Sequence, residues 1–370
     1  MRQNYYLTKF IQDNMKILQN ITKLVAFETT ENNLTEQLNC FGYIKKMFSF
    51  YPFVVREYMI SGIPSMVLSV SKGKHFKIML VAHIDVVSAN KSLFKIRKKG
   101  DKLFGRGISD MKFAIATYAF VLKEMYSKYH KLPSVGLMFT ADEEIAGNCG
   151  PGYLLNAKNF SCDITFLPDG GDNWHVIKES RGILQVKLII RGKSVHGSTP
   201  WKGESAILKL FKIGEKLHKM FPSTSEEDKV VMNFGKIEGG KALNQVCDEA
   251  SLYLDFRLAA KKPPEVIVAD LKAAFKEVEI EVIDNFPSFM VDAQDTYIKH
   301  WKNLLYKKGK KKIFINESGA TDAPYFSEKK IPVIVSKPMG GGIHSDNEWI
   351  SLSSVMEFAA VLEEFLSKYI

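Results

Sequence analysis

Apolar positions recur at three- and four-residue steps from Lys9 to Leu24 and from Leu34 to Phe50, which predicts two amphipathic helices. Extended segments follow at Phe53–Met59 and Ser65–Val70, set off by Gly62 and Pro64. The next run, KIMLVAHIDVV from Lys77 to Val87, carries five consecutive apolar residues, Ile78–Ala82, and then His83 and Asp85. So dense a run reads as a strand buried on both faces, and open α/β sheets bind ligands at the carboxyl ends of such strands. Two more short β-rich runs end in carboxylates: Ser134–Thr140 before Asp142, Glu143 and Glu144, and Cys162–Leu167 before Asp169. Ahead of both, after Val87, a basic, turn-rich connector at Lys95–Leu103 leads into a glycine-rich loop that delivers Asp110 to an apolar helix, Phe113–Met125. The alternation predicts an α/β fold.

From Ser180 the pattern changes. Ile183–Arg191 alternates as a strand, Gly192–Gly203 is a polar loop and Ser205–Met220 a helix. Val230–Ile237 and Ala250–Leu258 read as strands, Pro264–Glu277 as a helix and Val278–Ile283 as a last strand. That β-α-β-β-α-β order predicts a ferredoxin-like unit at 180–289, inserted into a larger domain made of 1–179 and 290–370. After Pro287 the α/β pattern resumes with a helix at His300–Leu305, strands at Ile313–Ile315 and Pro332–Ser336, the loop Gly340–Glu348 and a closing helix, Leu352–Tyr369.

Length and composition exclude several classes. A chain of 370 residues favours two domains. The net charge of +10 is spread along the chain, and its densest run, Lys307–Lys312, reads as a solvated loop, so nucleic acid is not an expected partner. No run approaches the roughly 20 apolar residues of a membrane span, and the start lacks a signal-type apolar block, so the expected location is cytoplasmic. Cys40, Cys149, Cys162 and Cys247 show no C-x-x-C spacing and are expected as free thiols. The glycine-rich loop lacks the G-K-[ST] ending of a phosphate-binding loop.

The strand-end residues His83, Asp85, Asp110, Glu143, Glu144, Asp169 and His344 combine two imidazoles with several carboxylates and no cysteine. Such a set suits a pair of zinc, cobalt or manganese ions better than a structural zinc. Taken singly, each motif also has a plainer reading: a surface His beside a turn-capping Asp at 83–85, an acidic helix start at 142–144, a turn Asp at 169.

The pieces AHIDVV, GRGISDMK, TADEE, PDGG, VHGSTPWKGESAI, LDFR and GGGIHSDNE, in this order, make the chain resemble the two-metal aminoacylase and carboxypeptidase family of acetylornithine deacetylase, succinyl-diaminopimelate desuccinylase and related dipeptidases. The resemblance implies a mixed-sheet metallohydrolase domain with an inserted lid, two divalent ions (zinc first, cobalt or manganese as alternatives), and cleavage of the amide bond of a dipeptide or an N-acyl amino acid by metal-bound hydroxide. Carried over to these residues, it makes Asp110 the bridging ligand, with His83 and Asp169 on one ion and Glu144 and His344 on the other. Glu143 becomes the general base and Asp85 the partner that orients His83. His196 would stabilise the oxyanion from the lid, Arg257 and Asn244 would grip substrate, and Gly319 and Thr321 would lie in a pocket loop. The resemblance also implies a cis Asp110–Met111 peptide and leaves a homodimer through the lid open. Asp169, where deacylases usually carry Glu, leans the reading toward peptides, with an N-acyl amino acid deacylase and a non-catalytic metal-binding oligomerisation protein as the alternatives. Phe113 stands where a small residue usually follows Met-Lys, and is expected to pack beneath its helix.

Overall fold

A computed structural model describes residues 2–224, 230–259, 262–311, 313–317, 319 and 321–370. Ser318 and Ala320 of the expected pocket loop, and Lys312 of the basic run, lie outside the described residues. The chain divides into two compact units: Met1–Lys178 with Val291–Ile315 and Thr321–Ile370, and Glu179–Met290 with Asn316–Ala320.

The first unit is built on a six-stranded sheet in the order Val54–Ile60, Ile63–Ser69, Val135–Thr140, His75–His83, Ser161–Phe166, Val333–Ile334. The first two pairings are antiparallel and the other three parallel. The His75–His83 strand lies inside the parallel part, and Ile78–Ala82 are fully buried, as a strand covered on both faces must be. At the edge, Val54–Ile60 alternates between half-buried and exposed residues, the pattern of a strand with one wet face. The helices Phe113–Tyr129 and Leu352–Ser367 pack against each other. Phe358 of the second meets Phe113, Phe166, Trp174 and Trp301, with ring centroids at 6.1, 5.8, 5.7 and 5.8 Å. Phe113 is therefore a packing residue.

Two expectations need correction. The connector read as turn-rich is a hairpin, Arg97–Lys99 paired with Lys102–Phe104, because Leu103 is buried and the second strand pairs with the distant Trp349–Ser351. The basic run is not wholly solvated: Lys310 Nζ lies 3.0 Å from Glu357 Oε2 and 4.4 Å from the centre of the Trp174 ring.

The second unit holds, in chain order, the strand Gly182–Arg191, the helix Ala206–Met220, the strands Val230–Gly239 and Glu249–Leu258, the helix Pro264–Ala274 and the strand Glu279–Phe286. Its sheet is antiparallel throughout, with the third strand between the second and the first, and the fourth on the far side of the first. Alternate residues Leu184, Val186, Leu188 and Ile190 join Leu210, Leu217, Phe256 and Ile267 in its own core.

Candidate metal centre

Three neighbouring parallel strands end on one side of the first sheet, and each supplies chemistry there. His83 is the last residue of its strand, and Ile84 N donates to Thr140 O at 2.8 Å, tying that end to the next strand. Beyond Thr140, Glu143 and Glu144 occupy a single helical turn. That turn is fastened by Asp142, whose Oδ2 accepts from Cys149 N and Gly150 N, both at 2.8 Å. Asp169 follows the Ser161–Phe166 strand. Asp110 comes from the loop after Gly107, which takes φ 75° and leaves no room for a side chain beside Val86. The Asp110–Met111 peptide is cis, as the resemblance implied.

Asp110 sits between the two imidazoles. His83 Nε2 is 3.2 Å from Asp110 Oδ1 and 3.8 Å from Asp169 Oδ1, and His344 Nε2 is 3.1 Å from both Asp110 Oδ2 and Glu144 Oε2. Two triads thus share one carboxylate: His83, Asp110, Asp169 and Asp110, Glu144, His344, with ligand atoms inside 4.8 Å in each. Glu143 belongs to neither, although its Oε2 is 3.9 Å from His83 Nε2.

The electrostatics follow from crowding carboxylates in a buried place. Burial raises Glu143 well above the ordinary carboxylate range, with the Asp169 charge adding to it, and burial pushes Asp169 up to about 7, with Asp110 contributing. Burial works in the same sense on Asp110, but the bonds to His344 and His83 outweigh it and hold that carboxyl well below its usual value. The bonds to Asp110 and Glu144 raise His344 to about 10. Burial disfavours a charged His83, yet the carboxylates of Asp110, Asp169 and Asp85 prevail and raise it.

Asp85 lies beside His83, with its Oδ1 3.4 Å from His83 Nδ1. His83 Nδ1 also lies 3.0 Å from the backbone carbonyl of Asp85, and the other carboxylate oxygen, Oδ2, accepts from Glu144 N at 2.9 Å and so holds a residue of the other triad as well. His196, Asn244, Arg257 and Gly319 all belong to the second unit. There Gly197 N donates to Asn244 O at 2.7 Å, holding the His196 and Asn244 segments together, and Arg257 is forked onto Asp255 through Nε at 2.8 Å and Nη2 at 3.3 Å. Thr321, in the first unit, is buried and accepts from Ala323 N at 3.1 Å.

Two buried cations beside the site escaped the sequence reading. Lys337 Nζ lies 3.1 Å from Asp172 Oδ1, and the charges of Asp110, Asp172 and Asp169 outweigh burial and raise its pKa. Lys112 is wholly buried, donates to Phe27 O at 2.8 Å, and is pulled down to about 8 by burial. Each follows an otherwise legible motif directly, Lys337 after the strand-end Ser336 and Lys112 after Asp110-Met111; a lysine placed there was the available signal.

A model of peptidase family M20/M25/M40 matches residues 79–368. The chain belongs to this family. Members bind a pair of metal ions and cleave amide bonds, and the two triads form the candidate site for such a pair here. Among curated relatives, a [LysW]-lysine/[LysW]-ornithine hydrolase of Sulfurisphaera tokodaii is 24% identical over 294 residues, 78% of this chain and 81% of its own. Among solved structures, a Staphylococcus aureus tripeptidase matches with a TM-score of 0.80 at 21% identity, covering 96% of this chain and 98% of that one. The aminopeptidase PepT of Bacillus cereus matches at 0.79, with the same identity and coverage. Among the described residues, no helix is long and apolar enough to cross a membrane.

Proposed function

We propose that this M20 hydrolase cleaves the amide bond of a dipeptide or an N-acyl amino acid, using two divalent ions, with zinc the first choice. The observation that carries the reading is the sharing of Asp110 between two imidazole-carboxylate triads, with Glu143 next to them and outside both. The residues fit a metal pair: Asp169 Oδ2 is buried without a hydrogen-bond partner, and the donors are the imidazole nitrogens and carboxylate oxygens that such ions take. His83 and Asp169 would hold one ion, Glu144 and His344 the other, and Asp110 both. When bound, the ions would polarise the scissile carbonyl and bring the pKa of a water between them toward about 7.

The remaining roles fall to side chains. Glu143 takes a proton from the attacking water and returns it to the leaving nitrogen, a task suited to a carboxyl whose pKa burial has already raised. Asp85 fixes His83 and Glu144 against rotation. We assign residues 180–289 as an inserted ferredoxin-like lid, from which His196 donates to the oxyanion and Arg257, with Asn244, grips the substrate carboxylate. Gly319 and Thr321 belong to the pocket loop in this reading. A homodimer through the lid and a cytoplasmic location complete it. Asp169 in place of Glu favours the peptide substrate.

The test is a screen of dipeptides and acylated amino acids with added zinc, cobalt or manganese, run on the wild type and on Glu143→Ala. Turnover by the wild type, lost in Glu143→Ala with metal content unchanged, is the expected result. Turnover retained by that variant refutes the role of Glu143, and metal binding without any turnover favours the non-catalytic alternative.

A further inference from the structure

We infer that Glu348 is a positioning residue for the shared carboxylate, setting Asp110 and His344 at the separation two ions require. This rests on the metal-centre reading above. Glu348 is 2% exposed and lies four residues after His344, immediately before the strand Trp349–Ser351. Its carboxylate receives four donors and no acceptor. Oε1 accepts from Ser109 N at 2.8 Å and Asp110 N at 3.2 Å; Oε2 accepts from Gly107 N at 2.9 Å and from Arg106 Nη1 at 2.9 Å. Its own carbonyl accepts from Gly105 N at 3.2 Å. One side chain therefore grips the backbone of the whole Gly105–Asp110 loop, including the amide of the bridging residue itself.

The consequence is a fixed distance. The segment that ends in Glu348 also carries His344, whose Nε2 is 3.1 Å from Asp110 Oδ2. The loop bearing the shared ligand and the loop bearing the second imidazole are thus joined at a buried clamp as well as at the site. Asp110 has extended backbone angles, φ −131° and ψ 85°, just before the helix Phe113–Tyr129, so no helical hydrogen bond takes up its amide and the Glu348 carboxylate is the partner that amide finds. Only a group that accepts on both oxygens satisfies all four donors. A glutamine in either orientation turns an N–H₂ toward two N–H groups, and buried donors left unpaired are costly. Arg106, itself 3% exposed, neutralises the carboxylate without touching the site.

The test is calorimetric titration of metal-free protein with Zn²⁺, alongside kcat and KM on a dipeptide and thermal unfolding. Glu348→Gln should remain folded, bind zinc roughly 10- to 100-fold more weakly, the usual cost of losing an outer support, and lose kcat with KM unchanged. Arg106→Lys keeps the three amide bonds and should bind zinc nearly as the wild type does. Lower thermal stability in Glu348→Gln with wild-type zinc affinity makes Glu348 a scaffold residue and overturns the inference. So does an equal loss of affinity in Arg106→Lys. Should Glu348→Gln not fold, Glu348→Asp carries the test: it keeps both oxygens but sits one methylene short, so weakened zinc binding in the folded variant supports the clamp and wild-type binding refutes it. A wild type that takes up no zinc sinks the metal-centre reading as well, whereas a normal wild type beside an unaltered Glu348→Gln sinks only this inference.

Discussion

Loading the metal-free protein with zinc should expel protons, from the two imidazoles and from Asp169, whose carboxyl is pushed up to about 7. His344 is held up at about 10 by Asp110 and Glu144, so its ring carries a proton at pH 7, and the carboxylates around His83 raise that ring too against the pull of burial. A metal takes only the neutral imidazole, so each ring must release its proton when its ion binds. His344 gives one proton from its triad, and in the other triad His83, raised above its usual value, and Asp169, pushed up to about 7, add to the count. Because about 10 lies above the whole range from pH 6 to 8, affinity for the ion at Asp110, Glu144 and His344 should climb about tenfold per pH unit there, roughly a hundredfold across it. Solvent screening at this half-exposed ring lowers the pH at which the climb levels off and leaves its direction unchanged. The assay is titration calorimetry in buffers of different ionisation enthalpy, where the dependence of the heat on buffer counts the protons. Heats independent of buffer, or an affinity flat between pH 6 and 8, would show that the rings are already neutral and that the carboxylates do not control them.

Other consequences are open to measurement. Without metal, the raised His344 and His83 contribute stability that is complete below their ordinary value of 6.5 and is lost as pH rises through the folded value, about 10 for His344, so the melting temperature of stripped protein should fall from pH 7 to 10; a constant melting temperature would contradict this. Phe358→Ala removes the ring shared by Phe113, Phe166, Trp174 and Trp301 and should cost about 3–5 kcal/mol in urea unfolding, with a loss below about 1 kcal/mol as the contrary result. Gly150→Ala places a methyl against Asp142 Oδ1 and 2.9 Å from Thr140 Cβ; a cost of about 1–3 kcal/mol and weaker zinc binding are expected, because Asp142 fastens the turn carrying Glu144, and wild-type behaviour would free that turn from its anchor. Arg257→Ala should raise KM for a dipeptide and leave zinc affinity untouched, since Arg257 pairs with Asp255 in the second unit; an unchanged KM would remove it from substrate binding.

The buried strand at His75–His83 was legible because continuous burial demands continuous apolar sequence, and its end could be located for the same reason. His83, Asp110, Glu144, Asp169 and His344 were all recognisable from their motifs, since each stands where a strand or a glycine-rich loop stops. The second unit was legible as an element order because its alternating strands and amphipathic helices each carry a local period. What the sequence could not supply was pairing between distant segments. The hairpin at Arg97–Phe104 has an unremarkable, charged sequence and is a strand only because Trp349–Ser351 lies beside it. Glu348 was visible as a letter in a motif, but its grip on Gly107, Ser109 and Asp110 spans some 240 positions, and nothing local to either segment records it. Lys112 and Lys337 are buried charges whose compensation comes from elsewhere in the fold. Local periodicity is written residue by residue and survives in the sequence alone; the partner that a buried charge or an open backbone edge finds is decided only when the chain closes on itself.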